Sequence, residues 1–420
     1  MLAMTSFSST LRQIFSNRNM IVLTISEFIF MFGGTLWWAF QSLYILELGA
    51  SKEILGMLMM MQSATLLLFQ VPGGVIADRF GRRKIIIYGS FIRCIPPVIY
   101  ILADHWFLLI PGILIDSLST LDIPAYNAII IESLPLETRA TGYGAYRTLT
   151  SIPRILTMPL GGILMDSMGV IPGMRLCLII NEIGLLAVAI IQWRFITETR
   201  GGGGRAKKGC DEPRERVSIA HRLKRMPRGI WVLIIVGGLT SFASRLSMSF
   251  MVIYAVEVIG LSKTEWGVAG TLFSLVSTVI TTPTGFLADR VGRKSCILIS
   301  HILSLLSLIG FLNSNGFIGV LLSRALGGVG SGFGGMVWGF MGGPTWQALI
   351  ADLVPSEVRG SMMGLIGAIT GAIGIPSSWV GGYLYENLSP SLPFQLSIVL
   401  RGIAVMIFLL FLREPKEKAR

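Results

Sequence analysis

The sequence predicts an all-α membrane protein, with twelve transmembrane helices in two six-helix bundles, and three observations carry that prediction. Of 420 residues, 52% are hydrophobic and only 14% charged, and the mean hydropathy is +0.70, a balance outside that of soluble globular chains. Apolar segments recur from Met20 almost to the C-terminus, each near the roughly 20 helical residues that span a hydrocarbon core about 30 Å thick. An internal repeat relates the first half of the chain to the second.

Taken in order, the predicted spans are 20–46, 54–77, 85–103, 106–131, 140–165, 173–196, 229–256, 265–288, 295–313, 317–350, 359–385 and 392–412. The first is too long for a secretory signal and has no small-residue cleavage pattern before Glu27 interrupts it, so it is expected to stay as a span. Ahead of it, Thr5 to Asn19 reads either as a short surface helix or as a disordered tail. The tenth segment is overlong, and Gly342-Gly343-Pro344 suggests a kink or break within it. Between the sixth and seventh, four consecutive glycines (Gly201 to Gly204) and a strongly basic run read as a flexible linker. The expected organisation is a six-helix bundle over 1–196, a linker over 197–228 and a second bundle over 229–420.

The chain carries 35 Lys and Arg against 23 Asp and Glu, a net charge of +12. Nucleic acid is one explanation of such a balance, but the placement of the charge gives another. Alternate loops hold 25 of the 35 basic residues, whereas the opposite loops hold Lys52, Lys263 and Arg175. That asymmetry predicts both termini and the linker on the cytoplasmic side of a cell membrane, and no nucleic-acid partner. Cys94, Cys177, Cys210 and Cys296 show neither paired spacing nor a histidine cluster, so no disulfide framework, metal site or cofactor is expected. No nucleophile–base constellation and no soluble domain suggests an enzyme.

The two halves repeat one another. Pro135-Leu-Glu-Thr-Arg139 and Pro355-Ser-Glu-Val-Arg359 are offset by 220, as are Glu132 and Asp352, Pro124 and Pro344, and Gly161-Gly162 and Gly381-Gly382. Gly74-Val-Ile-Ala-Asp78-Arg79-Phe-Gly81-Arg82 recurs as Gly285-Phe-Leu-Ala-Asp289-Arg290-Val-Gly292-Arg293 at an offset of 211, and Tyr44 with Glu47 recurs as Tyr254 with Glu257. Six spans per half give both halves one orientation, related by an axis along the membrane normal, an arrangement that belongs to transporters with a midplane site between the halves. At these residues the chain resembles the major facilitator superfamily over essentially its whole length. The family's signature between its second and third helices, G-x-x-x-D-R-x-G-R-[RK], is matched by Gly74 to Arg83, and the copy between helices eight and nine by Gly285 to Lys294.

The resemblance implies a secondary transporter working by alternating access. It implies further that Asp78 approaches the N-terminus of the eleventh helix and Asp289 that of the fifth when the cytoplasmic side is closed, where a helix dipole favours an acid by roughly 0.3–1 kcal/mol. By the same carry-over Arg82 pairs with Glu132 and Arg293 with Asp352, and Arg79, Arg139, Arg290 and Arg359 complete the gating set. A second reading is that these charges only set topology.

Ionisable residues in lipid are costly and face a partner, a cavity or a proton path. Glu27, Arg93, Asp122 and Arg147 share a depth roughly 10–14 Å from the cytoplasmic ends of helices one, three, four and five, and read either as a buried structural network or, for Glu27 and Asp122, as proton carriers. Asp116 on helix four and Arg245 on helix seven reach a common height of roughly 22–24 Å from opposite halves and could clamp a solute. Arg324 begins an R-x-x-x-G-x-G pattern that resembles one the family carries on helix four, whereas here it stands on helix ten. Structural pairing is expected for Glu182, Arg154, His301 and Arg401. The glycines from Gly327 to Gly335 lack a following Lys-Ser/Thr and read as close helix packing, and Pro159-Leu-Gly161-Gly162 resembles, without its upstream glycines, a pattern of the family's drug/proton antiporters. Trp37, Trp38, Phe40 and Trp338 offer either packing or solute stacking. The leading functional expectation is proton-coupled export of small amphipathic compounds by a monomer. The rival is a carrier of a small anionic metabolite, motivated by Arg245, Arg324 and Arg401. A membrane sensor or lipid-handling protein on the same scaffold is the alternative of another class.

Overall fold

A computed structural model describes residues 16–134, 139–198, 228–335, 343–354 and 359–412; within these, the side chains of 70–80, 139–141, 282, 286, 289 and 361 lie outside the description. The described residues form helices and no strand. Helices that continue one another through short irregular turns make twelve rods: α1 (Arg18–Glu47), α2 (Lys52–Phe80), α3 (Arg82–Leu102), α4 (Trp106–Ser133), α5 (139–168), α6 (Val170–Phe195), α7 (Arg228–Val258), α8 (Lys263–Val291), α9 (Arg293–Leu312), α10 (Phe317–Gly332 and Pro344–Leu353), α11 (Arg359–Gly374 and Ser377–Asn387) and α12 (Leu392–Phe411). Nine candidate spans among the described residues are long and apolar enough to cross a membrane. The outward surface is apolar at mid-height, with Leu68 at 69% and Ile183 at 64% exposure, as lipid contact requires.

The break suggested by Gly342-Gly343-Pro344 within the segment 317–350 is present: α10 stops after Gly332, Gly334 takes a φ of +69°, and the helix restarts at Pro344, whose missing N–H suits a first-turn position. Residues 336–342 lie outside the description, Trp338 with them.

Turn chemistry explains the repeated signatures. The α2–α3 and α8–α9 connections each consist of a single residue, Gly81 at φ +90° and Gly292 at φ +99°, a backbone region that a side chain disfavours. The basic residues that follow act as staples. Arg83 donates from Nε to the Ile196 carbonyl at 2.9 Å and from Nη2 to that of Trp193 at 3.2 Å, and Lys294 donates from Nζ to the Leu409 carbonyl at 3.1 Å and to that of Leu412. Each thereby satisfies the open C-terminal carbonyls of α6 or α12, where the dipole also favours a cation.

Call the face bearing these turns the terminal face and its opposite the distal face. The two halves meet chiefly through α5 with α8 and α2 with α11. Each contact is built on one glycine of a pair: a Cβ at Gly162 would strike the Lys263 carbonyl and one at Gly382 that of Lys52, while the preceding Gly161 and Gly381 let α5 and α11 close on the Leu36 and Leu246 carbonyls of their own halves. Beneath them lie Phe40 and Phe250, each fully buried, at matching breaks in α1 and α7. Small residues let backbones approach to this distance where lipid offers no hydrophobic drive.

Core packing shows which face is shut. One apolar cluster draws on both halves at the distal side, joining Phe40, Tyr44 and Leu55 to Phe250, Tyr254 and Trp266. Toward the terminal face the clusters separate, Met20, Ile86 and Ile129 belonging to the first half and Ile230, Trp346 and Phe408 to the second. The halves are therefore joined distally and parted terminally.

Overpacking one of these contacts should cost about 1–3 kcal/mol. Gly162→Val is expected to lower the melting temperature of the purified protein, whereas Gly144→Val, on the same helix with nothing within 4 Å of an added Cβ, should leave it nearly unchanged; thermal denaturation of both variants in one detergent is the check.

Candidate functional site

A cavity of about 870 Å³ lies on the parted side, walled by α1, α3, α4, α5 and α6 and, from the second half, by Gly343, Pro344 and Gln347 of α10. Its ionisable lining is Glu27, Arg93, Asp116, Asp122 and Arg147. The four residues whose depths coincide in the sequence thus share one chamber, joined by Asp116.

Asp122 sits where α4 departs from α-helical geometry, in a 3-10 turn at Thr120–Asp122 that Pro124 follows. That turn aims a buried carboxylate at Arg93, which holds it bidentately from Nη2 at 2.8 and 3.0 Å and also reaches the Ser119 carbonyl at 3.4 Å. The same guanidinium lies over the Phe30 ring at 5.0 Å. Gly89 is needed beside it, since a Cβ there would lie 2.7 Å from Asp122 Oδ2. Asp122 is therefore held in a pair.

Glu27 and Asp116 are different. No hydrogen bond or ion pair to either carboxylate occurs among the described residues, although both line the cavity. Toward the distal end the wall is aromatic: Trp38 meets Phe30 edge-on at 5.5 Å, and Trp37 lies 5.9 Å from Tyr100. Lower down, Tyr126 donates from its hydroxyl to the Leu23 carbonyl at 2.9 Å, which ties α4 to α1. The chamber is an aromatic-walled space with three carboxylates against two guanidiniums.

The expected clamp of Asp116 and Arg245 is not assembled in this conformation. Arg245 is absent from the cavity lining; it donates from Nη1 to Ser63 Oγ of α2 in the first half and lies against Gly374 of α11. An expected height leaves the direction around the helix axis open. Arg324 is also elsewhere, with its guanidinium over Phe273 at 4.5 Å and Trp266 at 5.2 Å, in a smaller void shared with Arg401.

The structural pairing expected of four further residues is likewise corrected. Arg154 reaches Met31 Sδ at 3.3 Å, Arg401 reaches Ser244 Oγ at 3.2 Å, and Glu182 Oε2 and His301 Nε2 are buried without a partner among the described residues. Hydroxyls, sulfur and aromatic faces take the place of opposite charges, since His301 lies 6.0 Å from Phe408 and 6.3 Å from Trp346.

At the terminal face Arg82 pairs with Glu132 and Arg293 with Asp352, and Arg293 also donates to the Ala348 carbonyl. These pairs tie the start of α3 to the end of α4 and the start of α9 to the end of α10. The side chains of Gly74, Asp78, Arg79, Arg139 and Asp289 lie outside the description; Arg290 is exposed and Arg359 half-buried.

The distal face carries a second symmetric set that the repeat could have revealed but that sequence reading missed. Asp166 at the end of α5 accepts from the backbone N–H of Lys263 at 3.1 Å and of Thr264 at 2.8 Å, and from the Thr264 hydroxyl at 2.7 Å. Glu386, 220 residues later, accepts from the backbone N–H of Glu53 at 2.8 Å, while Glu53 Oε1 accepts from Trp379 Nε1 at 3.0 Å and Lys52 pairs with Glu257 at 3.3 Å. Each carboxylate caps a helix start in the opposite half, where open N–H groups and the helix dipole favour an anion.

A profile of the Major Facilitator Superfamily matches residues 23–262 and 233–420. Quinolone resistance protein NorA of Staphylococcus aureus is 30% identical over 159 residues, which is 38% of this chain and 39% of the relative, so the chain matches about two fifths of that relative's length. Among solved structures, a bacterial homolog of the human lysosomal transporter Spinster, inward-facing and occupied, superposes with a TM-score of 0.72 at 16% identity over 96% of this chain and 97% of that one. The nucleoside transporter NupG gives 0.73 at 14% identity over 93% and 98%. With twelve rods in a repeated arrangement, both signature turns built on a lone glycine, and a family profile matched over nearly all of its length, the chain belongs to the Major Facilitator Superfamily and is a multi-pass membrane transporter, not an enzyme.

Proposed function

We propose that the protein exports small amphipathic compounds, cationic ones foremost, in exchange for protons, with its terminal face in the cytoplasm of a cell-membrane-bound monomer. The observation that carries this reading is the cavity itself. Three carboxylates face two guanidiniums, two of the carboxylates have no partner among the described residues, and the walls are Trp, Tyr and Phe. An aromatic face attracts an organic cation, and an acidic side chain inside a membrane bundle faces a partner, a cavity or a proton path. Glu27 and Asp116 would then hold either a proton or the cargo's charge, which is the competition that exchange needs.

The excess of acid in the chamber favours a cation over the rival anionic metabolite, for which Arg245, Arg324 and Arg401 would have to face the cargo; none of them lines it. Similarity to a quinolone resistance protein supports drug-like cargo. Transport would proceed by rocking of two bodies, 1–196 and 229–420, joined by the linker over 197–228. In this scheme the distal caps at Asp166 and Glu386 break as the cavity turns outward, and the signature loops, with Asp78 and Asp289, latch the terminal face. Such caps bias the equilibrium because they exist in one state only.

In proteoliposomes, a fluorescent organic cation should move against its gradient when a pH gradient is imposed, and an organic acid should not. Glu27→Gln and Asp116→Asn are each expected to cut that flux about tenfold or more, worth roughly 1.4 kcal/mol, at unchanged yield of folded protein; wild-type flux in both would remove the carboxylates from the mechanism.

Asp166→Asn combined with Glu386→Gln should weaken the distal seal. A cysteine placed at Gln41, beneath that seal, is expected to react faster with a membrane-impermeant maleimide added from the distal side, and an unchanged rate would show that the caps do not hold the state.

A further inference from the structure

Inside the second half, apart from the transport cavity, α7, α8, α9, α10 and α12 enclose a void of about 40 Å³ into which Arg324 and Arg401 both project. Ser244, Ser247, Ser304 and Ser307 share the lining. Two guanidiniums lining one small space inside a membrane bundle have left water at high cost. Among the described residues neither meets a carboxylate: Glu257, Glu265, Asp289, Asp352 and Glu386 stand near helix ends, and the other acids of the second half, Glu357, Glu414 and Glu417, lie outside the described residues. The rings of Phe273 and Trp266 cover Arg324, but aromatic faces attract a cation without cancelling its charge. Arg401 donates to Ser244 Oγ at 3.2 Å, but the Nε atoms of both arginines and the hydroxyl of Ser304 are buried with no hydrogen-bond partner among the described residues, so donors at the void outnumber acceptors.

We propose that this void binds one small inorganic anion of the chloride class, held by Arg324 and Arg401 and solvated by the serine hydroxyls, as a resident counter-ion of the second half. Buried N–H and O–H donors with no acceptor are the complement of an anion, and charge-assisted bonds are the stronger kind. Size selects within the class, because a space that accommodates a water or two admits a halide and excludes an organic cargo. The assignment is independent of what the main cavity carries.

The test is radiolabelled chloride binding to the purified protein in lipid nanodiscs, with gluconate replacing chloride at constant ionic strength. Saturable retention approaching one ion per chain is expected, with about tenfold or greater loss in Arg324→Gln and in Arg401→Gln and smaller loss in Arg324→Lys, which keeps the charge but not the planar fork. No retention above the gluconate background in the wild type, or full retention in both glutamine variants, would overturn the proposal. Inorganic phosphate displacing the label at lower concentration than unlabelled chloride would overturn the halide assignment. Should the glutamine variants fail to fold, the wild type decides alone: chloride must raise its melting temperature over gluconate, and equal melting in the two salts refutes the site.

Discussion

The close approach of α5 to α8 and of α2 to α11 is the constraint from which the rest follows. Lipid tails are as apolar as leucine, so helices in a bilayer gain little by hiding apolar surface and must fit closely. Gly162 and Gly382 remove the side chains that would hold the halves apart, Gly161 and Gly381 let α1 and α7 close on the same helices, and Phe40 and Phe250 fill the hollows behind them. Once these contacts form on the distal side, the helix starts of α8 and α2 come within reach of Asp166 and Glu386. Joining at one face leaves separate cores at the other, and the cavity is the space between them.

The proposed rocking would need each half to move as a body, and the signature loops would supply that stiffness. A single glycine at positive φ makes each turn as short as a turn can be, while Arg83 and Lys294 fasten the following helices to α6 and α12. The ion pairs Arg82 with Glu132 and Arg293 with Asp352 brace the neighbouring corners. All of these contacts fall within a half. Partly exposed ion pairs are individually weak, so the bracing comes from their combination with backbone capping.

Charge is divided unequally between halves of one design. The first half holds Glu27, Asp116 and Asp122 around the cavity with two arginines, whereas the second holds Arg324 and Arg401 around a small void with no acid nearby. Duplication has kept the packing glycines and the corner pairs while the interior charges diverged. Packing constrains both copies equally, but only one copy needs to meet the solute.

Much of the fold was legible in the sequence because its causes are local: hydropathy marks a span, a lone glycine between charged helix ends marks a turn, and a repeat offset of 211 or 220 pairs one half with the other. The corner pairs follow from the family resemblance of the signature loops, and the shared chamber of Glu27, Arg93, Asp122 and Arg147 from position along the helices. What one dimension cannot carry is azimuth. Asp116 and Arg245, expected at one height, face different neighbours, and the partners of Arg154 and Arg401 turn out to be a thioether and a hydroxyl. The distal caps and the paired arginines of the second half also emerge only when helices far apart in the chain are packed side by side, since a carboxylate becomes a helix cap, and a guanidinium becomes unbalanced, through the neighbours that packing brings to it.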